Sequence, residues 1–441
     1  MLKKMVFALL LTLLIFTISA PLSGQEAEDP VSGTIRVWGW EGPLQTALER
    51  SGVLADFKAA YPDVRVEVTL FSPPALYEAL RTGLAEGTPV CDVCLVEDKE
   101  VGGFVQSGQL ADLTDLIAPY VDRYTPARLA QAEEDGRYYA MPWDSGPVVM
   151  FYRRDVFEKA GIPSEPEVVD ALVSTWEDYL DICRLIVART GQKCFPHNRA
   201  DNNARLYRMV LWSRGLGFYD ENGSIVIDSP EHIETLEMLG QFWAEDLVSN
   251  ALDWTDVFYA EFSSLENATA SLIHASWMEG QLKRRLAPGT EGLWGVVRMP
   301  AYEEGGTRAA SDGGSDFLIP AASENLAAAR AFVEYVLGSE DNLARMAARN
   351  GSLPAMLTAL DQPVFNEADP FFAGQLNRQL YASVLPNIPL ATMEVPEHAI
   401  LTPHLVDNVR LYALGELTAE EALRAAADGM RAELAAAAET E

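Results

Sequence analysis

DGRYYAMPWDSGPVVMFYRRDVFEKAGIP, residues Asp135 to Pro163, holds two extended runs with an unusual seam between them. Asp135-Gly136 is a hairpin turn signal, because both residue types tolerate the positive φ of a tight two-residue turn. Tyr138 to Met141 makes a short extended run, and Val148 to Tyr152 a β-branched and aromatic one of buried-strand character. Between them, Pro142-Trp143-Asp144-Ser145-Gly146-Pro147 is too proline-rich for a helix and too apolar for a solvated loop. Such a segment suits a crossover between two lobes, with aromatic and acidic groups at the crossing point.

Upstream of it, Ile35 and Val37 mark a short strand, and a helix is predicted from about Pro43 until Pro62-Asp63 stops it. Val64, Val66, Val68 and Leu70 alternate over a second strand, and a second helix spans about Ala75 to Glu86. Val90 to Val96 then reads as a continuous apolar strand. This βαβαβ order predicts a parallel sheet with right-handed crossovers. Ligands of such sheets sit outside the carboxyl ends of the strands. Two of the three ends carry binding chemistry: Trp38, Trp40 and Glu41 after the first strand, Glu97 and Asp98 after the third. The plainer reading is that a Trp closes the core and the acids cap the helices that follow.

Downstream, Ser174 and Glu177 predict a capping box opening a helix whose Trp176, Tyr179, Leu180, Cys183, Ile186 and Val187 share one face, a core stripe. The acidic run Tyr219 to Gly223 lacks the downstream bidentate Glu of a calcium loop and reads as a hairpin turn. Ala270 to Ile273 is a buried strand that delivers Trp277. Gly313-Gly314 before Asp316 marks a tight approach, and Asn325 to Leu337 is a helix ended by Gly338. The chain finishes on a Thr418 and Glu421 capping box and an alanine-rich helix.

The seam, with its P-aromatic-D step, apolar strand ending in Tyr and D-x-F-E-K-A-G, resembles the extracellular solute-binding protein family 1, maltose-binding-protein-like receptors of ABC importers. TIRVWGWEG (34–42), PVCDVCLVED (89–98), SGQLADLTD (107–115), STWEDYLDICRLI (174–186), ASLIHASW (270–277), SDGGSDFLIP (311–320) and AFVEYVLGSEDNLARMAARNGSLPA (331–355) resemble family blocks in family order. The resemblance implies an α/β fold of two lobes, each a sheet flanked by helices, with a hinge and an interlobe cleft. Lobe one is expected at 31–142 plus 310–338 and lobe two at 143–309 plus 339–441. It further implies capture of a sugar or oligosaccharide, delivery to membrane permease subunits and a monomer.

With 441 residues and 49% apolar content the chain can bury more than one core. Lys3 and Lys4, an uncharged apolar run from Met5 to about Ala20 and the small residues after it have the layout of an export signal over about residues 1–24. The first cysteine is Cys91, so no lipobox cysteine follows the run, and a freely diffusing periplasmic protein is expected. A formal charge of −32 disfavours nucleic acid and anionic membrane surfaces as partners.

Cys91 and Cys94, three apart in the predicted strand, would point to opposite faces and stay reduced and buried. Cys183 and Cys194, late on a helix and just past the Gly191 turn, are better placed, so at most one disulfide is expected.

Sugar recognition needs flat aromatics against C–H faces, with carboxylates, amides and Arg for hydroxyls. Trp38, Trp40, Trp143, Trp212 and Trp277, with Glu41, Glu97, Asp98, Asp144 and Asp316, supply that inventory, and Trp277 is the expected stacking platform of lobe two. Trp176, Trp243, Trp254 and Trp294 are assigned to packing. The same set could hold a cationic solute such as a polyamine or betaine. Glu97 and Asp144 could in principle flank a glycosidic bond in a hydrolase, but no G-x-S-x-G, H-E-x-x-H or P-loop pattern occurs, and the five histidines are scattered. Neither catalysis, nor a cofactor, nor a metal is expected.

Overall fold

The computed structural model describes residues 31–88, 90–199, 204–220, 222–389 and 398–438. The expected export signal lies outside them. Ten strands occur among the described residues: β1 (Gly33–Gly39), β2 (Val64–Leu70), β3 (Val93–Glu97), β4 (Glu133–Glu134), β5 (Arg137–Tyr138), β6 (Ala140–Arg153), β7 (Ser271–Ala275), β8 (Trp294–Arg298), β9 (Ser311–Leu318) and β10 (Leu353–Pro354). The predicted βαβαβ unit is present, with β1 parallel to both β2 and β3. Asp135 and Gly136, at φ 52° and 77°, turn β4 into β5.

The expected irregular crossover is instead one fully buried strand, β6. Its first half pairs antiparallel with β9, with register shifts between Pro142 and Asp144 and between Ser145 and Pro147. Those bulges reconcile the two prolines with a ladder they cannot donate to. The second half pairs with β7 along one edge and β8 along the other. Since β9 also pairs with β3, β6 belongs to the β1–β2–β3 sheet at its start and to the β7–β8 sheet at its end.

Apolar side chains divide between the two sheets to give two lobes. Ile35, Val37, Phe57, Val93, Leu95, Phe317 and Phe332 pack in one, and Val148, Met150, Trp176, Tyr179, Phe242 and Leu423 in the other. A helix over Glu41–Glu49, wound in the wide π form, breaks at Gly52 (φ 87°) before a second helix, Val53–Ala60, where a single helix is predicted. The helix Trp176–Thr190 is capped one residue later than predicted: the Thr175 hydroxyl accepts from Asp178 N, and the Asp178 carboxylate from Thr175 N. Asp220 Oδ1 accepts from Asn222 N and Ser224 N in the predicted turn.

Two disulfides are present, one more than expected. Cys183–Cys194 has Cα atoms 5.2 Å apart. Cys91–Cys94 corrects the sequence reading: the ladder starts only at Val93, Cys91 precedes a bend at Asp92, and side-chain alternation does not carry across it. Among the described residues no helix is long and apolar enough to cross a membrane.

Candidate functional site

A cleft of ≈ 320 Å³ opens where β6 and β9 pass between the lobes. The first lobe supplies Trp40 after β1, Glu97 at the end of β3 with Asp98 and Lys99 after it, and Thr125 and Arg128 at the helix Pro126–Gln131. Asp144 and Ser145 come from the bulged part of β6, and Ser311 to Ser315 from β9. The second lobe adds Arg205, Arg208 and Trp212 from the helix Arg205–Ser213, with Trp277 just past β7. The close pass of the two central strands depends on glycine: a Cβ on Gly314 would sit 2.7 Å from Asp144 O, and one on Gly146 2.5 Å from the carbonyls of Asp312 and Gly313.

Arg128 is the buried electrostatic centre. It is ion-paired with Asp316 and, at 3.5 Å, with Asp98, and Nη2 donates to Ser315 O at 3.3 Å. Burial pushes Asp98, Asp144 and Asp316 up to about 6 each, while Arg128 pulls all three back. One guanidinium thus serves three carboxyl groups. Asp312 differs: burial raises it, but Arg205, His274, Arg208 and Lys99 together outweigh burial and hold it below the usual carboxylate range. Glu97 accepts from the Tyr77 hydroxyl at 2.9 Å and from Lys99 at 3.0 Å.

Five side-chain atoms on residues of this wall are buried without a hydrogen-bond partner in the protein: Thr125 Oγ1, Arg128 Nε, Asp144 Oδ1, Ser145 Oγ and Asp312 Oδ2. Buried polar atoms are ordinarily satisfied, so such a cluster marks a surface built for a hydrogen-bonding guest. Beside it stands Trp277, half-buried, its Nε1 donating to Asp312 O at 3.0 Å, which fixes the indole relative to the β9 backbone.

Of the predicted residues, Trp40, Glu97, Asp98, Asp144, Trp212 and Trp277 line the cleft. Four do not. Trp143 is 2% exposed and packs on Phe317 at 5.3 Å, because the alternation that turns Asp144 to the cleft turns its neighbour into the first core. Trp38 is half-buried against Phe71, and Glu41 is exposed at the start of its helix. Asp316 is fully buried and acts on the cleft through its ion pair with Arg128 and by repulsion of the Asp98 and Asp144 carboxyls. Sequence reasoning missed Arg128, Arg205, Arg208 and Asp312. The first three sit on helices with no local signal, whereas Asp312 adjoins the Gly313-Gly314 pair and could have been read from it. Trp254, assigned to packing, is 39% exposed.

Residues 42–342 match the family described as bacterial extracellular solute-binding protein. The chain is similar to an arabinooligosaccharide-binding protein of Halalkalibacterium halodurans, 25% identical with 78% of this chain and 76% of the relative covered. It is also similar to a lactose-binding protein of Rhizobium radiobacter, 26% identical with 81% and 83% covered. The fold matches that of an ABC transporter associated binding protein from B. animalis subsp. lactis Bl-04 in complex with beta-1,6-galactobiose, at a TM-score of 0.71 and 23% identity, over 90% of this chain and 97% of that one.

Proposed function

The chain belongs to the bacterial extracellular solute-binding protein family, and on that premise we propose that it captures a sugar or oligosaccharide in the interlobe cleft and delivers it to an ABC importer. The observation that carries this reading is the set of five buried polar atoms without a hydrogen-bond partner on residues of a cleft that Trp40, Trp212 and Trp277 also line. A sugar satisfies both, offering hydroxyls to those atoms and a C–H face to the indole rings. The named ligands of the two curated relatives, arabinooligosaccharide and lactose, support the same class. A polyamine or betaine fits less well: Glu97, Asp98, Asp144 and Asp312 line the cleft, but each already lies beside a cation of the protein, Lys99, Arg128 or Arg205, which competes with a cationic guest for it.

Hydrolysis finds little support. Asp144, pushed up to about 6 by burial, has the character of an acid, but Glu97 is engaged by Tyr77 and Lys99 and does not stand free as the second carboxyl a glycosidase needs. We place the lobes at 31–142 plus 310–338 and 143–309 plus 339–441; the helix Glu340–Asn350 sets Leu343 and Met346 in the first core and Ala344 and Ala347 in a further cluster with Val149, Phe151 and Trp294. The protein is assigned to the periplasm as a monomer, exported by a leader over residues 1–24.

Thermal-shift screening against mono- and oligosaccharides, with spermidine and glycine betaine as comparators, tests the reading. A ligand at 100 times its Kd raises stability by about 2.7 kcal/mol. A shift with a sugar is expected; a shift only with a cation, or product formed from an oligosaccharide, would refute it.

A further inference from the structure

A second cavity of ≈ 230 Å³ lies behind Trp277 in the second lobe, and Arg205 lines both it and the main cleft. The partition is thin. Arg205 Nη1 lies 2.6 Å from His274 Nε2, and the His274 ring meets Trp277 edge-on at 4.5 Å. Trp254 faces Trp277, its ring nearly parallel at 15° with centroids 6.2 Å apart, and lies 6.4 Å from the His274 ring.

Trp254 is unusual in two respects. Its φ is 67°, in the left-handed region that a bulky residue rarely adopts, within a turn where Thr255 N donates back to Leu252 O. Glycine or asparagine would make that turn at lower cost, so the turn does not account for an indole. The ring is also 39% exposed, although it lines a cavity whose other walls include Met209, Leu252 and Phe258. Strain held at an exposed aromatic on a cavity wall is a mark of function.

His197, on the same wall, has a buried Nε2 without a hydrogen-bond partner. Its ring stacks on Trp243 at 4.4 Å, and burial drives its pKa down to about 3, so it meets a guest as a neutral imidazole. A neutral imidazole suits a hydroxyl better than an anion. Size decides the rest: self-sufficient small-molecule sites span roughly 300–1,000 Å³. A cavity below that range suits one unit of a ligand anchored elsewhere.

We infer that the Trp254 cavity is an outer subsite that receives one further sugar unit of an oligosaccharide whose first units lie in the main cleft. This rests on the sugar reading above and deepens it: the ligand is a chain long enough to pass Trp277, recognised by stacking on Trp254 and by hydrogen bonding at His197.

Calorimetric titration of the purified protein with arabino-, galacto-, malto- and chito-oligosaccharide ladders, from monosaccharide to hexasaccharide, tests this. Affinity is expected to rise with chain length. Trp254→Ala should abolish the rise, a loss of about tenfold for the longest chain bound, and leave the shortest bound sugar unchanged. Since Trp254→Ala also removes the ring beside Trp277, Leu252→Arg, at an exposed position on the cavity wall, provides the deciding arm and should give the same length-selective loss. Trp277→Ala should weaken every length. If Leu252→Arg changes nothing at any length, or both outer variants weaken all lengths alike, the subsite is refuted. A length-independent wild type that gains affinity only for aryl glycosides would reassign the cavity to an apolar aglycone and overturn the sugar subsite. Failure of every sugar to bind would instead overturn the parent reading, and this one with it.

Discussion

Arg128 and its three carboxyl partners make the cleft sensitive to protons. Asp98, Asp144 and Asp316 titrate near 6 because burial disfavours their charged forms more than Arg128 restores them. The folded protein therefore holds these protons more tightly than the unfolded chain, whose carboxyls titrate near 4. Stability from this cluster is greatest below that pH and falls as pH rises towards about 6. Asp144→Asn removes one titrating group, so the wild type should gain stability relative to the variant as pH drops from 7 to 5. Urea unfolding across that range checks it; a gap that moves the other way would sink the assignment. Sugar hydroxyls donate more strongly to ionised carboxylates, so ligand affinity should weaken below about pH 6, and binding near pH 6 should release protons into the buffer. Other residue-scale features were not legible in sequence. Trp143 and Trp254 exchanged their expected places because which face of a strand or turn meets solvent is set by packing from distant segments.

At the scale of elements, the crossing of β6 and β9 sets the width of the site. Gly146→Ala would push a methyl against two β9 carbonyls, which neither strand can relieve alone. A loss of about 1–3 kcal/mol is expected, in the range of overpacked interiors, together with weaker ligand binding because the same strands carry Asp144 and Asp312. Gly289→Ala, with no atom within 4 Å of the added methyl, should stay within about 0.5 kcal/mol. Chemical denaturation of both variants decides the matter, and equal effects would show the strands to be adjustable. Elements were the most legible level of the chain. Alternation and turn residues placed β1, β2, β7 and the β4–β5 hairpin, while Pro142 to Pro147 misled because a proline is compatible with a strand wherever a bulge relieves the ladder. The same dependence on exact strand ends hid the Cys91–Cys94 bridge.

For the whole molecule, a cleft walled by two lobes and crossed by few strands predicts closure on ligand by bending around residues 142–147, 300–310 and 338–340. Small-angle scattering should report a smaller radius of gyration with a saturating sugar than without. An unchanged radius at full occupancy would mean that the lobes are already fixed at their bound angle.

The double membership of β6 also bears on the order in which the protein can be completed. Neither sheet is finished by the residues made first: β6 waits for β9, more than a hundred residues later in the chain, and the second core waits for Leu423 and Met430 near the end. Domains made of continuous sequence can fold one after another during synthesis. This chain lacks that option, so most of it must emerge before either core can close. A nascent chain that folds late stays thin enough to be threaded through a translocation pore, so the interleaved topology suits the export proposed above.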